Sequence, residues 1–258
     1  MSKDTIQQAR SFVTAAALPA APRALRSGGA AAAPLVPQAG RAQAAVVGSD
    51  VVSFDAAVDP QWRQDLVNST LLAQLAAKKK VPDGTRIFDW YDAYFDALGH
   101  IGWAVRDRSF SVYTEQSQNF QAHDAILKVA ASLLGPTAAS MALVSTTLEA
   151  LQSMSADSPW ITLLDRESRS ASAAKFQVSV AEQAPDGELN VSLMAFGLEA
   201  RSSMTQVLFF RSLASQVTLR HCSAKVAVDT IVLAGVRDAL RARLVSFAND
   251  FVRQLPDL

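Results

Sequence analysis

Cysteine is almost absent from this chain: Cys222 is the only one in 258 residues. One thiol cannot close an intramolecular disulfide, and one thiol does not make a metal site. Histidine is nearly as scarce. His100, His123 and His221 show no metal-ligand spacing, so no metal is expected. Neither sign of charge is in excess, with Lys+Arg and Asp+Glu at 24 each. That balance argues against nucleic acid as a partner, which usually calls for a basic domain. Long apolar runs are missing too. The stretch Met141-Ala142-Leu143-Val144 is far short of the roughly 18–20 residues a membrane span requires. The opening Met1-Ser2-Lys3-Asp4-Thr5-Ile6-Gln7-Gln8 is polar and is not followed by a clean apolar segment, unlike a secretory signal. No G-x-S-x-G elbow, P-loop, dinucleotide fingerprint or H-E-x-x-H occurs. The expectation is a protein that is not an enzyme and holds no dissociable cofactor.

What is present is a core. Half the residues are hydrophobic and 19% are charged, so a folded domain is expected over most of the length. Residues 1–50 differ from the rest. They are rich in Ala, Pro and Gly, and residues 1–49 carry Lys3, Arg10, Arg23, Arg26 and Arg41 against Asp4 alone. Ile6 to Ala17 reads as a short helix, and Leu18 to Val47 as a stretch with too few large apolar side chains to offset chain entropy. The arm is therefore expected to be flexible, or to order on a protein partner or a neighbouring subunit. A single domain is expected over 51–258.

Asp59-Pro60 opens a helix that runs to Lys78-Lys79-Lys80. Ile87 to Val105 reads as a second helix, rich in aromatics. Ser109 to Tyr113 alternates like a short strand. Asp124 to Leu134 is helical, Gly135-Pro136 stops it, and Thr137 is placed to cap a helix reaching Met154. After Ser172 the period changes to two. Strands are expected around Phe176–Val180, Val191–Phe196, Val207–Phe210 and Val217–Val228, with Asp229 capping a long amphipathic C-terminal helix. The class is α+β: helices on one face of an antiparallel meander of about four strands, closed by that helix.

Cys222 is the candidate site. It is a buried packing residue, a nucleophile, or an attachment point for an acyl chain. A Cys–His dyad would need His100 or His123, because neighbouring His221 points to the opposite face of a strand. Val217, Leu219 and His221 share one face, whereas Cys222, Ala224, Val226 and Val228 share the other. On this parity the apolar face changes sides near His221-Cys222, which predicts a bulge or bend there.

The aromatic helix Phe88-Asp89-Trp90-Tyr91 with Gly102-Trp103 after it, the helices interrupted at Gly135, the meander containing Val207-Leu208-Phe209-Phe210, and the final Val236-Arg237 helix form a recognisable order. Over roughly residues 88–258 this layout resembles the Erwinia virulence factor (Evf) family. The resemblance implies mixed helix and strand content, no evident catalytic apparatus, and a late cysteine carrying palmitate buried in the fold. Cys222 is the residue to which that role would fall. Two expectations follow. One is a non-enzymatic bacterial virulence- or toxin-associated protein, acylated at Cys222 and able to meet a membrane or lipid. The other is a structural or assembly protein whose residues 1–50 dock on a partner.

Overall fold

The computed structural model describes residues 3–21, 35–113, 122–170, 172–200 and 217–256. In chain order its elements are α1 (Lys3–Ala15), β1 (Gln43–Val47), β2 (Asp50–Phe54), α2 (Pro60–Lys80), α3 (Ile87–His100), β3 (Ser111–Val112), α4 (Ala122–Leu134), α5 (Ala139–Ser153), α6 (Pro159–Ser168), β4 (Ala173–Gln183), β5 (Leu189–Ala200), β6 (Val217–Val228), α7 (Thr230–Leu244), α8 (Ala248–Phe251) and β7 (Val252–Gln254). The fold is α+β, and a mostly antiparallel sheet ordered β3-β6-β5-β4-β2-β1-β7 is its frame. β2 beside β4 is the parallel pair.

Local chemistry sets the helix starts. The Asp59 carboxylate accepts from the Gln61 N–H at 2.7 Å, with Pro60 at the first helical position of α2. Ser158 caps α6 ahead of Pro159 in the same way. The Asp229 carboxylate accepts from the N–H groups of Ile231 and Val232, both at 3.0 Å, and starts α7. Thr137 does not cap α5; Ala138 occupies that position with no side-chain bond. The second helix ends at His100, because the chain then turns at Gly102 to run beside β6.

The sheet is covered on both faces, which corrects the one-face expectation. Period-two alternation shows it directly: Ala45 and Val47 of β1 join one core cluster, and Ala44 and Val46 join the other. The inner layer is α1, α2, α3 and α7. The outer layer is α4, α5 and α6. The expected bulge near Cys222 is absent: β5 and β6 pair without interruption from Leu189↔Val228 to Ala200↔Val217. Leu219 is apolar toward the outer layer and Cys222 toward the inner one, so no change of side is needed. The meander has three long described strands, β4, β5 and β6; the strand expected at Val207–Phe210 falls outside the described residues.

The boundary near residue 51 is also corrected. β1 lies inside the sheet between β2 and β7, fully buried along its length. α1 packs on α7, burying Ala9 and Val13. Gly235 makes that approach close: a Cβ there would lie 2.6 Å from Ile6 Cγ2. Arg10 Nε donates to the Gly235 carbonyl at 2.6 Å. The turn joining β1 to β2 needs Gly48, whose φ is +57°, and where a Cβ would fall 2.3 Å from Gln74 Oε1.

Two measurements check this packing. Deleting residues 1–16 uncovers the buried face of α7 and is expected to lower the unfolding midpoint clearly; an unchanged midpoint would show α1 to be peripheral. Leu240, 0% exposed on α7, is expected to cost roughly 2–5 kcal/mol on replacement by Ala in a denaturant melt.

Candidate functional site

Cys222 lies in β6 opposite Ala195 of β5 and is 6% exposed. Its side chain joins the inner core with Leu193, Ala195 and Val226. The segment after α3 closes over the strand. Trp103 bridges to Val228, Ala104 N–H donates to the Ala227 carbonyl at 3.0 Å, and Tyr113 N–H donates to the Leu219 carbonyl at 2.9 Å. Midway along this cover, the Asp107 carbonyl accepts from the Cys222 thiol at 3.6 Å. Phe110 then packs against Tyr91 at 4.9 Å and Phe88 at 5.1 Å, tying the cover to α3. Burial, with the negative charge of Asp107 adding to it, pushes the Cys222 thiol up to about 11. At neutral pH the sulfur is therefore a protonated, weakly polar core group, with little of the thiolate that nucleophilic catalysis uses.

The histidines do not convert it into a dyad. His100 stacks on Phe12, with ring centroids 4.4 Å apart. His123 sits on α4 in the outer layer beside Asp124. His221 faces the outer layer near Phe196 and Tyr113, as strand parity requires, and burial lowers its pKa.

A second group of residues was not signalled by any motif. On the inner face, under α2 and α3, a polar layer crosses the centre of the sheet. Asp50, 0% exposed, places both carboxyl oxygens 3.0 Å from Ser179 Oγ. Ser49 Oγ reaches Gln177 Oε1 at 2.9 Å and Gln74 Oε1 at 3.1 Å. Gln177 Nε2 donates to the Tyr91 hydroxyl at 2.9 Å. That hydroxyl has one proton to share between the carbonyls of Phe196, at 2.8 Å, and Phe176, at 2.9 Å. Burial raises the Asp50 carboxyl to about 7, opposed by the Ser179 and Val51 hydrogen bonds. Burial likewise holds the Tyr91 and Tyr94 hydroxyls well above the usual tyrosine range. The only sequence trace of this layer is polar residues at positions of one parity inside otherwise apolar strands, namely Asp50 in β2 and Gln177 and Ser179 in β4. Among the described residues no group of three or more His, Cys, Asp and Glu side chains is placed to hold a metal ion.

The arrangement defines an α+β protein with a neutral thiol and a titratable carboxyl both enclosed under the inner helices. No protein family matches the chain, and no curated protein does. Among solved structures it is similar to a delta-endotoxin, with 14% identity, a TM-score of 0.42, and coverage of 80% of this chain and 90% of that one. It is also similar to the Evf virulence factor, with 10% identity, a TM-score of 0.35, and coverage of 77% of this chain and 76% of that one. The resemblance to Evf expected from the sequence is thus present as a faint structural likeness. Neither likeness is close enough to carry an argument about activity.

The Asp50 carboxyl gives a signed pH dependence. Its folded pKa, about 7, lies above the ordinary aspartate value of 3.8. The stability it contributes is therefore complete below about pH 4 and is lost as pH rises through about 7. Asp50→Asn keeps a donor and an acceptor for Ser179 but cannot ionise. Its stability relative to the parent is expected to rise between pH 4 and 8, by up to about 4 kcal/mol. Parallel curves in urea melts across that range would show that Asp50 does not titrate there.

Proposed function

We propose that this chain is a non-enzymatic, toxin- or virulence-associated protein that carries a long acyl chain as a thioester on Cys222 and contacts membranes through it. The words toxin and virulence are those of the two solved structures it is similar to; their extension to this chain is part of the proposal. The observation that carries the reading is the burial of the thiol. Cys222 belongs to the apolar inner layer and is 6% exposed, and its thiol meets the Asp107 carbonyl. A chain attached there would continue among apolar neighbours, and each methylene it buries would contribute roughly 0.8 kcal/mol.

The same burial constrains when the bond forms. Acyl transfer from an acyl thioester donor needs the thiolate, which releases the donor's thiol as the new thioester forms. In the closed fold the thiol is protonated and covered, so acylation would belong to the folding chain or to an opened state. One acyl chain gives only marginal membrane affinity, so a second contact with lipid is required for lasting attachment. The helical part of the basic arm does not supply it as a loose tether, because Arg10 and the apolar face of α1 are engaged on α7. For the same reason no observation favours the reading in which that helix docks on another protein.

Intact-mass measurement of protein isolated from its producing cell tests the proposal. A mass excess of one fatty acyl group, removed by neutral hydroxylamine and missing in Cys222→Ser, is the expected result. An unmodified Cys222 in the natively isolated protein would overturn it.

A further inference from the structure

Away from Cys222, a cleft of about 120 Å³ opens where the C-terminal ends of α2 and α6 meet the start of β4. Lys78, Arg166, Arg169 and Lys175 line it together with Trp90 and the turn around Asp83. Four cations thus come together from three separate elements. Most are neutralised in place. Glu167, whose side chain is 8% exposed, binds both Lys78 Nζ and Arg166 Nε at 2.8 Å. Arg169 pairs with Asp165 at 2.8 Å. Lys175 is the exception: among the described residues it forms no ion pair. Its ammonium donates to the backbone carbonyl of Glu167 at 3.3 Å and lies over the Trp90 ring, 4.9 Å from the centroid. Burial lowers its pKa to about 8; Glu167 opposes that shift and Lys78 adds to it.

Lys175 thus has no direct ion-pair partner among the described residues: of the carboxylates lining the cleft, Glu167, which acts on it through its charge, is held by Lys78 and Arg166, and Asp83 is bonded to Thr85. We propose that this cleft binds a phosphate-type oxyanion, with Lys175 Nζ as the direct contact and the Lys78, Arg166 and Arg169 charges supplying the surrounding field. The size of the cleft narrows the class. It lies well below the roughly 300–1,000 Å³ of pockets that enclose a drug-sized ligand, so it accommodates a phosphate group and not the body of a larger molecule. Arginine and lysine together suit phosphate, which accepts on several oxygens at once. Bound phosphate would also return Lys175 toward the charged state, because a nearby negative charge favours the ammonium.

The test is phosphate binding by calorimetry, at constant ionic strength, with acetate as the monocarboxylate control. Inorganic phosphate is expected to bind, to do so more tightly than acetate, and to weaken by about ten-fold or more in Lys175→Met. Lysine acetylation read by mass spectrometry gives an independent measure. Phosphate is expected to slow modification of Lys175 while leaving exposed Lys79 and Lys80 unchanged. Vesicles containing phosphatidic acid separate the two sources of the group. Sedimentation with them that depends on Lys175 assigns a lipid head group, and binding of free phosphate alone assigns a soluble ligand. No heat with phosphate, equal binding of acetate, or phosphate binding unchanged in Lys175→Met would each overturn the proposal.

Discussion

Burial of the sheet on both faces is the constraint from which the rest follows. All five residues of β2, Asp50 to Phe54, are buried, and so are all five of β1. A strand in that position has no solvent-facing side for polar side chains, so each one needs an internal partner. Asp50 has Ser179 on the inner face. Ser53 has Thr147 of α5 on the outer face, at 3.0 Å. Gln74 of α2 holds the turn between the two strands by accepting from Ser49 N–H at 2.9 Å and donating to the Val47 carbonyl at 2.8 Å. The polar layer is the condition for placing this hairpin in the middle of the sheet.

The same enclosure explains the chemistry of Cys222 and Asp50. Both groups are shifted toward their neutral forms, chiefly by removal from water. A protein built to use a thiol as a nucleophile would place a base or a positive charge beside it. Here the thiol meets a carbonyl oxygen and apolar side chains. Charged side chains elsewhere are paired instead, as in the buried pair of Asp65 and Arg237 joining α2 to α7 at 2.6 Å, or gather in the basic cleft at the end of β4. The molecule thus separates an enclosed thiol among apolar neighbours from a basic cleft at the end of β4.

Local signals were legible in the sequence and pairings were not. Asp59-Pro60 and Asp229 act on residues within a few positions, so their chemistry can be read in place. The helix Lys3–Ala15 was legible as a helix, but its partner α7 lies more than two hundred residues away, as the 225-residue separation of Arg10 and Gly235 shows. β1 was hidden by its own composition. Gln43-Ala44-Ala45-Val46-Val47 continues the small-residue texture of the arm, and only its neighbours in the sheet distinguish it. The bulge expected at Cys222 arose from assuming one solvated face, and a second layer of helices removes the need for it. The contacts of the polar layer span up to 129 positions, between Asp50 and Ser179, and no motif spacing encodes them.

The enclosure of Cys222 is tested most directly by the rate at which the unacylated protein reacts with a water-soluble disulfide reagent, followed through increasing denaturant. A core thiol is expected to react slowly in the native state, with a rate that rises in step with global unfolding. Rapid labelling that is insensitive to denaturant and has the pH profile of a thiolate formed near neutrality would contradict the enclosure, and would place Cys222 among reactive cysteines instead.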